Sequence, residues 1–301
     1  MDGATLSREL EQLLGETASS SYLDSKSTYD YLYEAALRTV QRTNCLTSSQ
    51  EITTTEDGVN YYLNADFLKL YLSDDRGRQF IKYNDGTNNF FIYPSSYDSI
   101  VLANNDDSQS VPDSFCIRDA AAITRDSGTA TSTGAATGGV CTLTDTAATF
   151  TTSKISAGDF IHNTTDGSQG VVISITSETA LVAALFGGTD NDWTSADAYY
   201  INPQKRFYLT IDPLSSTAAH TITVYYVQKP APVYSSYYSY QIPINLKSAL
   251  VQYAAWLYKY RDGNANYGDA WFKYWDLNVR QYGREMNLAR QTKEYRVILK
   301  K

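Results

Sequence analysis

The chain has 301 residues, 43% hydrophobic and 19% charged, a globular balance that excludes wholesale disorder and has room for two domains. Its 33 acidic against 25 basic residues give a net charge of −8, which argues against a generally basic nucleic-acid binder. No run approaches the roughly 18–20 apolar residues that a membrane span needs, so no membrane partner is expected.

In chain order, residues 3–15 predict a short amphipathic helix, with Leu6, Leu10, Leu13 and Leu14 on one face and Gly15 to end it. Residues 28–43 are the clearest periodic element. Tyr29, Leu32, Tyr33, Ala36, Leu37 and Val40 share a face, and Ser27 is the expected N-cap. From about residue 48 the pattern alternates. Segments 51–55, 59–63, 67–72, 79–83 and 90–93 read as strands, with turns at Asp57 and Gly58, at Asp75 to Gly77, and at Asp85 to Asn89. Residues 99–103 and 114–118 add two short strands.

Residues 126–139, DSGTATSTGAATGG, read as a linker or long flexible turn. Five short alternating segments follow up to residue 201, the pattern of a small all-β module. Charge marks the same boundary. Residues 126–202 hold eight acidic side chains and one basic one, Lys154, so this stretch carries −7 of the total −8. Strands are expected at 206–211 and 221–228, then a Pro- and Tyr-rich connector at 229–243. Two helices close the chain, at 246–261 and about 266–289, joined by a short loop that makes them antiparallel. The expected fold class is α+β. An antiparallel helical bundle from both chain ends packs with a β-hairpin sheet, and an all-β barrel or sandwich-like module is inserted. Domain boundaries follow: 1–125 with 203–301, and the insert at 126–202.

Few residues of the chain suggest chemistry. The start, MDGATLSRELEQLLGE, lacks a basic n-region and an apolar h-region, so no secretory leader is expected. Cys45, Cys116 and Cys141 are far apart without a C-x-x-C pair. Neither a disulfide framework nor a zinc-thiolate site is expected, and folding in a reducing cytoplasm is. His162 and His220 read as strand-end histidines, since no G-x-S-x-G marks a nucleophile. Asp190, Asn191 and Asp192 lack the glycine and closing glutamate of a calcium loop and read as a turn. Paired acids such as Asp74 with Asp75 fit solvated turns, and Asn163 heads a sequon without a secretory context. No catalytic residue, metal ligand or cofactor is assigned, and the chain is not expected to be an enzyme.

Two features point to association. Tyrosine occurs 26 times, and its large, fairly rigid ring with a polar end is enriched at protein interfaces. From Arg284 to Lys301 there are six basic residues against two acidic, and Tyr295, Arg296, Val297, Ile298 and Leu299 form a β-prone run beyond the last helix. That run reads either as a solvated tail or as an arm that adds a strand to a partner's sheet.

The order of elements resembles head-to-tail adaptor proteins of tailed bacteriophages, in the tail tubular protein A-like group. The likeness rests on TYDYLYEAALRTVQRT, on RFYLTIDPLSSTAAHTITVYYVQKPAPV, and on IPINLKSALVQYAAWLYKYRDGNANYGDAWFKYWDLNVRQYGREM. It covers most of residues 20–123 and 203–290. The stretch TDTAATFTTSKISAGDFIHNTTDGSQGVVISITSETALVAALFGGTDNDW resembles small domains inserted in phage structural proteins. The resemblance implies a virion protein at the head–tail interface, assembled in the host cytoplasm as a homo-oligomeric ring of about twelve copies beneath the portal. DNA would pass through its channel without sequence-specific binding.

On that resemblance, Arg290, Lys293, Tyr295, Arg296, Val297, Ile298, Leu299, Lys300 and Lys301 would bind the portal protein. Asp74, Asp75, Arg76, Asp85 and Asn88 would face the tail nozzle. Helix faces carrying Tyr29, Tyr33, Tyr253, Trp271 and Trp275 would supply subunit contacts, and the acidic insert would point outward or toward tail fibres. Two rivals remain open. One is a peripheral decoration or receptor-binding protein that uses the β module. The other is a carbohydrate- or peptidoglycan-degrading enzyme, which would need a cleft with paired carboxylates.

Overall fold

The computed structural model describes residues 2–15, 25–55, 60–73, 77–103, 109–137, 139–215, 219–231, 241–261 and 265–290. Its helices are α1 (Gly3–Leu14), α2 (Ser25–Thr43), α3 (Tyr97–Ala103), α4 (Lys247–Arg261) and α5 (Ala265–Arg290). The first seven strands are β1 (Thr47–Thr53), β2 (Asn60–Tyr62), β3 (Phe67–Leu70), β4 (Ile81–Asn84), β5 (Asn89–Pro94), β6 (Gln109–Ser110) and β7 (Ser114–Asp119). Then come β8 (Asp126–Thr129), β9 (Cys141–Thr144), β10 (Phe160–Asn163), β11 (Gln169–Ser177), β12 (Ala180–Phe186) and β13 (Ala198–Asn202). The last are β14 (Phe207–Asp212), β15 (Leu214–Ser215) and β16 (Thr221–Gln228).

The expected α+β frame, a helical bundle with a hairpin sheet and a small β insert, is not what the chain builds. The protein is mostly β, with two curled, barrel-like sheets and a minor helical share set mostly toward the C-terminus. The physical reason is how each element shows its apolar residues. A helix concentrates them in a legible stripe, whereas a short strand buries one residue in two and spreads them along the sequence. Weighing stripes overstates helix.

The chain divides into two compact units, one from the described parts of 6–43 and 242–301, the other from 44–241 with 2–5. In the first, α2 packs on α4 and α5, and α4 packs on α5. Trp275 is buried and its Nε1 donates to Thr39 Oγ1 at 3.0 Å, so the indole's polar edge is satisfied inside the apolar contact. Lys247 pairs with Glu9 at 2.6 Å. Asp2 accepts the Thr5 amide at 2.6 Å and caps α1, which Gly15 ends at φ +70°.

The second unit holds both large sheets. The eight-stranded one runs β1-β16-β4-β5-β7-β14-β2, with β3 also on β16. Pairing is antiparallel except for β5 with β7. β16 alternates as strand chemistry requires, sending Ile222, Val224 and Tyr226 into a core shared with Leu63, Ile81, Ile92 and Leu209. The six-stranded sheet runs β8-β13-β10-β11-β12-β9, entirely antiparallel. It curls around its own core, in which Phe150, Trp193, Leu143, Ile161 and Ile201 are fully buried.

Two local expectations change. Residues 99–103 lie in α3 rather than in a strand, because Ser96 Oγ accepts the Ser99 amide at 3.2 Å and caps a helix there. The stretch at 126–139 is not simply a linker. β8 pairs with β13, Ser127 opposite Tyr200. Small residues stand there because space is lacking: a Cβ on Gly128 would lie 2.2 Å from an Asp145 carboxylate oxygen.

The two sheets meet at a joint built by backbone and buried charge. Asp66 donates its amide to Ala157 O at 3.2 Å, and Ala65 donates to Ser156 Oγ at 3.1 Å. Gly158 sits there at φ +93°, and a Cβ on it would lie 2.9 Å from the Asp66 nitrogen. Both strain and space therefore require glycine. Gly158→Ala is expected to lower stability by about 1–3 kcal/mol. Urea denaturation measures it, and a neutral result would mean the joint opens without cost.

Candidate functional site

The positions assigned to docking fall in separate places. Lys293, Tyr295, Arg296, Val297, Ile298, Leu299, Lys300 and Lys301 lie outside the described residues, and Arg290 is the last residue of α5. Asp74, Asp75 and Arg76 also lie outside them. Asp85 and Asn88 stand in the turn between β4 and β5. The Asp85 carboxylate accepts the amides of Asn88 at 2.6 Å and Thr87 at 2.8 Å, and these bonds hold its pKa below the usual carboxylate range. That acid shapes its own turn.

The residues assigned to subunit contact divide by burial. Tyr253 and Trp275 are buried inside the helical unit, ring centroids 4.8 Å apart. Tyr29 and Tyr33 are half-buried, and burial pushes the Tyr33 hydroxyl pKa up. Trp271 is half-buried and lies 6.1 Å from the exposed Tyr274. Among the described residues, the most exposed large apolar groups on the two helices are Tyr260 at 63%, Leu277 at 59% and Tyr274 at 53%. Trp271, Tyr274 and Leu277 recur every three residues, so they share one side of α5. A second ring group joins α4 to α5: Trp256 lies 5.1 Å from Phe272 and 5.8 Å from Tyr260. Leu277, Tyr260 and Phe272 were missed by reading the sequence. For Leu277 the signal was spacing on the side of α5 away from Trp275; Phe272 lies on Trp275's own side, ring centroids 5.3 Å apart, and Tyr260 stands on α4.

The strongest electrostatic feature is at the sheet joint, and no motif announced it. Arg206 is 2% exposed and its Nη2 bonds Asp159, which is fully buried. Asp159 also accepts the amides of Gln204 at 2.8 Å and Ser156 at 2.9 Å. Burial raises the Asp159 pKa, with Arg206 opposing the shift. Nearby, Asp66 accepts from Tyr226 Oη at 2.8 Å and Gln228 Nε2 at 2.7 Å, and burial pushes it up to about 6. A cavity of about 400 Å³ runs along this joint, lined by Asn64, Asp66, Tyr226 and Gln228 on one side and Ser156 and Ser174 on the other.

The remaining polar motifs are structural. The Asn163 side chain is buried and donates to Asp197 at 2.8 Å, which removes it as a surface sequon. The 190–192 turn is organised from outside, with Asp166 accepting the amides of Thr189, Asp190 and Asn191. His162 stacks on Tyr200 at 4.4 Å. Burial pushes the Cys141 thiol up to about 12, an unreactive setting. Among the described residues no three His, Cys, Asp or Glu side chains gather to hold a metal ion, and no helix is long and apolar enough to cross a membrane.

No family model and no curated protein matches the chain. Among solved structures, a phage phi92 endosialidase is similar at 10% identity over 55% of this chain, with a TM-score of 0.24. The match spans 32% of that protein's length, a likeness that carries no argument about fold or activity.

Proposed function

We propose that the protein is a structural virion component, a head-to-tail adaptor that self-associates beneath the portal and presents a platform to the next tail protein. The observation that carries this reading is the row Trp271, Tyr274 and Leu277 on α5, large apolar groups held on a rigid helix with Tyr274 and Leu277 more than half exposed. Such rings on a fixed scaffold supply contact area at low entropic cost, the property a repeated subunit contact needs. The resemblance of residues 20–123 and 203–290 to adaptor proteins supports the same reading, and the basic residues from Arg284 onward supply a charged arm for the portal. In this proposal residues 126–202 are an insert that decorates the ring.

The test is co-sedimentation with portal rings of the same virus. The full-length chain is expected to travel with the portal, and a chain ending at residue 289 is expected to stay behind while keeping its circular dichroism. Tyr274→Asp with Leu277→Asp is expected to bind the portal without completing a ring. Failure of the full-length chain to travel with the portal would sink the adaptor reading and favour a peripheral tail protein.

A further inference from the structure

A second cavity, of about 360 Å³, lies where the connector between β7 and β8 passes the six-stranded sheet. Its polar lining is Tyr62, Thr124, Arg125, Asp126, Ser153 and Lys154. Three observations set it apart from an ordinary surface cleft.

The first is charge. Arg125 and Lys154 are exposed, and among the described residues neither has a carboxylate within ion-pair distance. Arg125 is nevertheless placed, its guanidinium 3.7 Å from the centre of the Tyr200 ring. Two cations line one cleft of a chain with net charge −8, a local reversal of sign, and Lys154 is the only basic residue in 126–202.

The second is backbone strain. Lys154 adopts φ +61°, a left-handed conformation that glycine or asparagine takes more readily. It is pinned there from both sides. Its amide donates to Thr151 O at 3.0 Å, and its carbonyl accepts from Arg206 Nη1. A long cationic side chain kept at a strained position fits a functional use of that side chain.

The third is an acceptor without a donor. Asp126 Oδ1 accepts the Ser127 amide at 2.8 Å, but its Oδ2 is buried with no hydrogen-bond partner. A buried, unpaired carboxylate oxygen is costly and calls for a donor from outside the chain.

Together these define the ligand: one anionic group for Arg125 and Lys154, and beside it hydroxyl donors for Asp126. We propose that this cleft binds a sugar acid, with its carboxylate on the two cations and a ring hydroxyl on Asp126 Oδ2. The aromatic wall is rigid. Tyr62 packs on Tyr208 at 4.7 Å with hydroxyls bonded at 2.9 Å, and Arg118 lies 5.0 Å from the Tyr208 ring while bonding Asn60 at 2.9 Å. One aromatic wall with Thr124 and Ser153 hydroxyls suits a polyol. A fully ionised inorganic anion brings no hydroxyl donor and would leave Asp126 Oδ2 unpaired. The volume lies in the range of small-molecule sites. This proposal goes beyond the adaptor reading and stands whether or not the chain binds a portal.

The experiment is ligand-observed NMR and calorimetry on the full chain with D-glucuronate, D-glucose, inorganic phosphate and adenosine monophosphate. D-Glucuronate is expected to bind at least about tenfold more tightly than each of the other three, a ratio equal to about 1.4 kcal/mol. Arg125→Ala with Lys154→Gly is expected to lower glucuronate binding at least about tenfold with melting unchanged or raised, because glycine relieves the strained position. Asp126→Ala is expected to weaken glucuronate and strengthen phosphate. Glucuronate binding that survives the double variant overturns the proposal. Phosphate binding equal to glucuronate would reduce the cleft to an anion patch, tighter adenosine monophosphate would make it a nucleotide site, and no binding at all would remove it.

Discussion

Arg206→Ala is expected to destabilise the unit that holds the two sheets by about 3–5 kcal/mol, the range found when one partner of a buried ion pair is removed. The size follows from what is left behind. Asp159 is fully buried and Arg206 2% exposed, so the deletion strands a carboxylate that water cannot reach. It also frees the Lys154 carbonyl. The Gln204 and Ser156 amides remain on Asp159 and limit the loss. The pH dependence has a definite sign. Burial already raises the Asp159 pKa against Arg206, so removing Arg206 raises it further. Stability from such a group is full below its unfolded pKa and falls as pH rises through its folded pKa. The variant should therefore lose more at pH 8 than at pH 5. Arg206→Leu combined with Asp159→Leu should recover most of the loss, since an apolar pair carries no stranded charge. Urea denaturation of the three chains at both pH values decides it. A loss under about 1 kcal/mol, equal at both pH values, would mean that water reaches the pair.

How much of this was legible depends on the range of the interaction. The stripe Leu32, Ala36 and Val40 is local, and α2 lies where its periodicity placed it, although it begins at Ser25 so that the expected cap, Ser27, falls within its first turn. Turn chemistry at Asp85 and Gly86 is likewise local. The errors are of two kinds. Some arise where a local signal has two meanings. The small residues at 126–129 are the composition both of a flexible linker and of a crowded edge strand, and only the nearness of Asp145 to Gly128 separates them. Others arise where the signal is not local at all. Asp159 and Arg206 stand 47 residues apart, and as letters Asp159 is one of eight acids in its segment. The parallel pairing of β5 with β7 needs the intervening chain to cross over, which alternation along either strand does not reveal. The same holds for the sugar-acid cleft. Tyr62, Arg125 and Lys154 come from three distant segments, and the one hint in the sequence was a single lysine in an otherwise acidic stretch.

Asp66→Asn is expected to remove a pH dependence worth about 3 kcal/mol. Asp66 is 5% exposed, and burial pushes its carboxyl to about 6, while an unfolded aspartate titrates near 3.8. Between about pH 4 and pH 6 the unfolded chain has released this proton and the folded chain still holds it. Stability therefore falls as pH rises through that window, by about 1.4 kcal/mol per unit of difference. The contacts explain why the acid is kept despite this. Tyr226 and Gln228 both donate to it, and Lys229 beside it donates to Ala65 O at 2.9 Å, so a ring hydroxyl, an amide and an ammonium converge on the strand ends at the joint. Asparagine keeps the acceptor for Tyr226 but withdraws the charge that supports Lys229, whose pKa burial already lowers. The variant can thus start from a lower baseline. The discriminating quantity is the slope, not the level. Unfolding free energies measured by urea denaturation from pH 3 to pH 7.5 should show the native chain declining relative to the variant by about 3 kcal/mol, with the difference complete by about pH 7. Parallel curves would place the titrating group elsewhere and leave Asp66 ionised throughout, a carboxylate held by its donors rather than protonated by its burial.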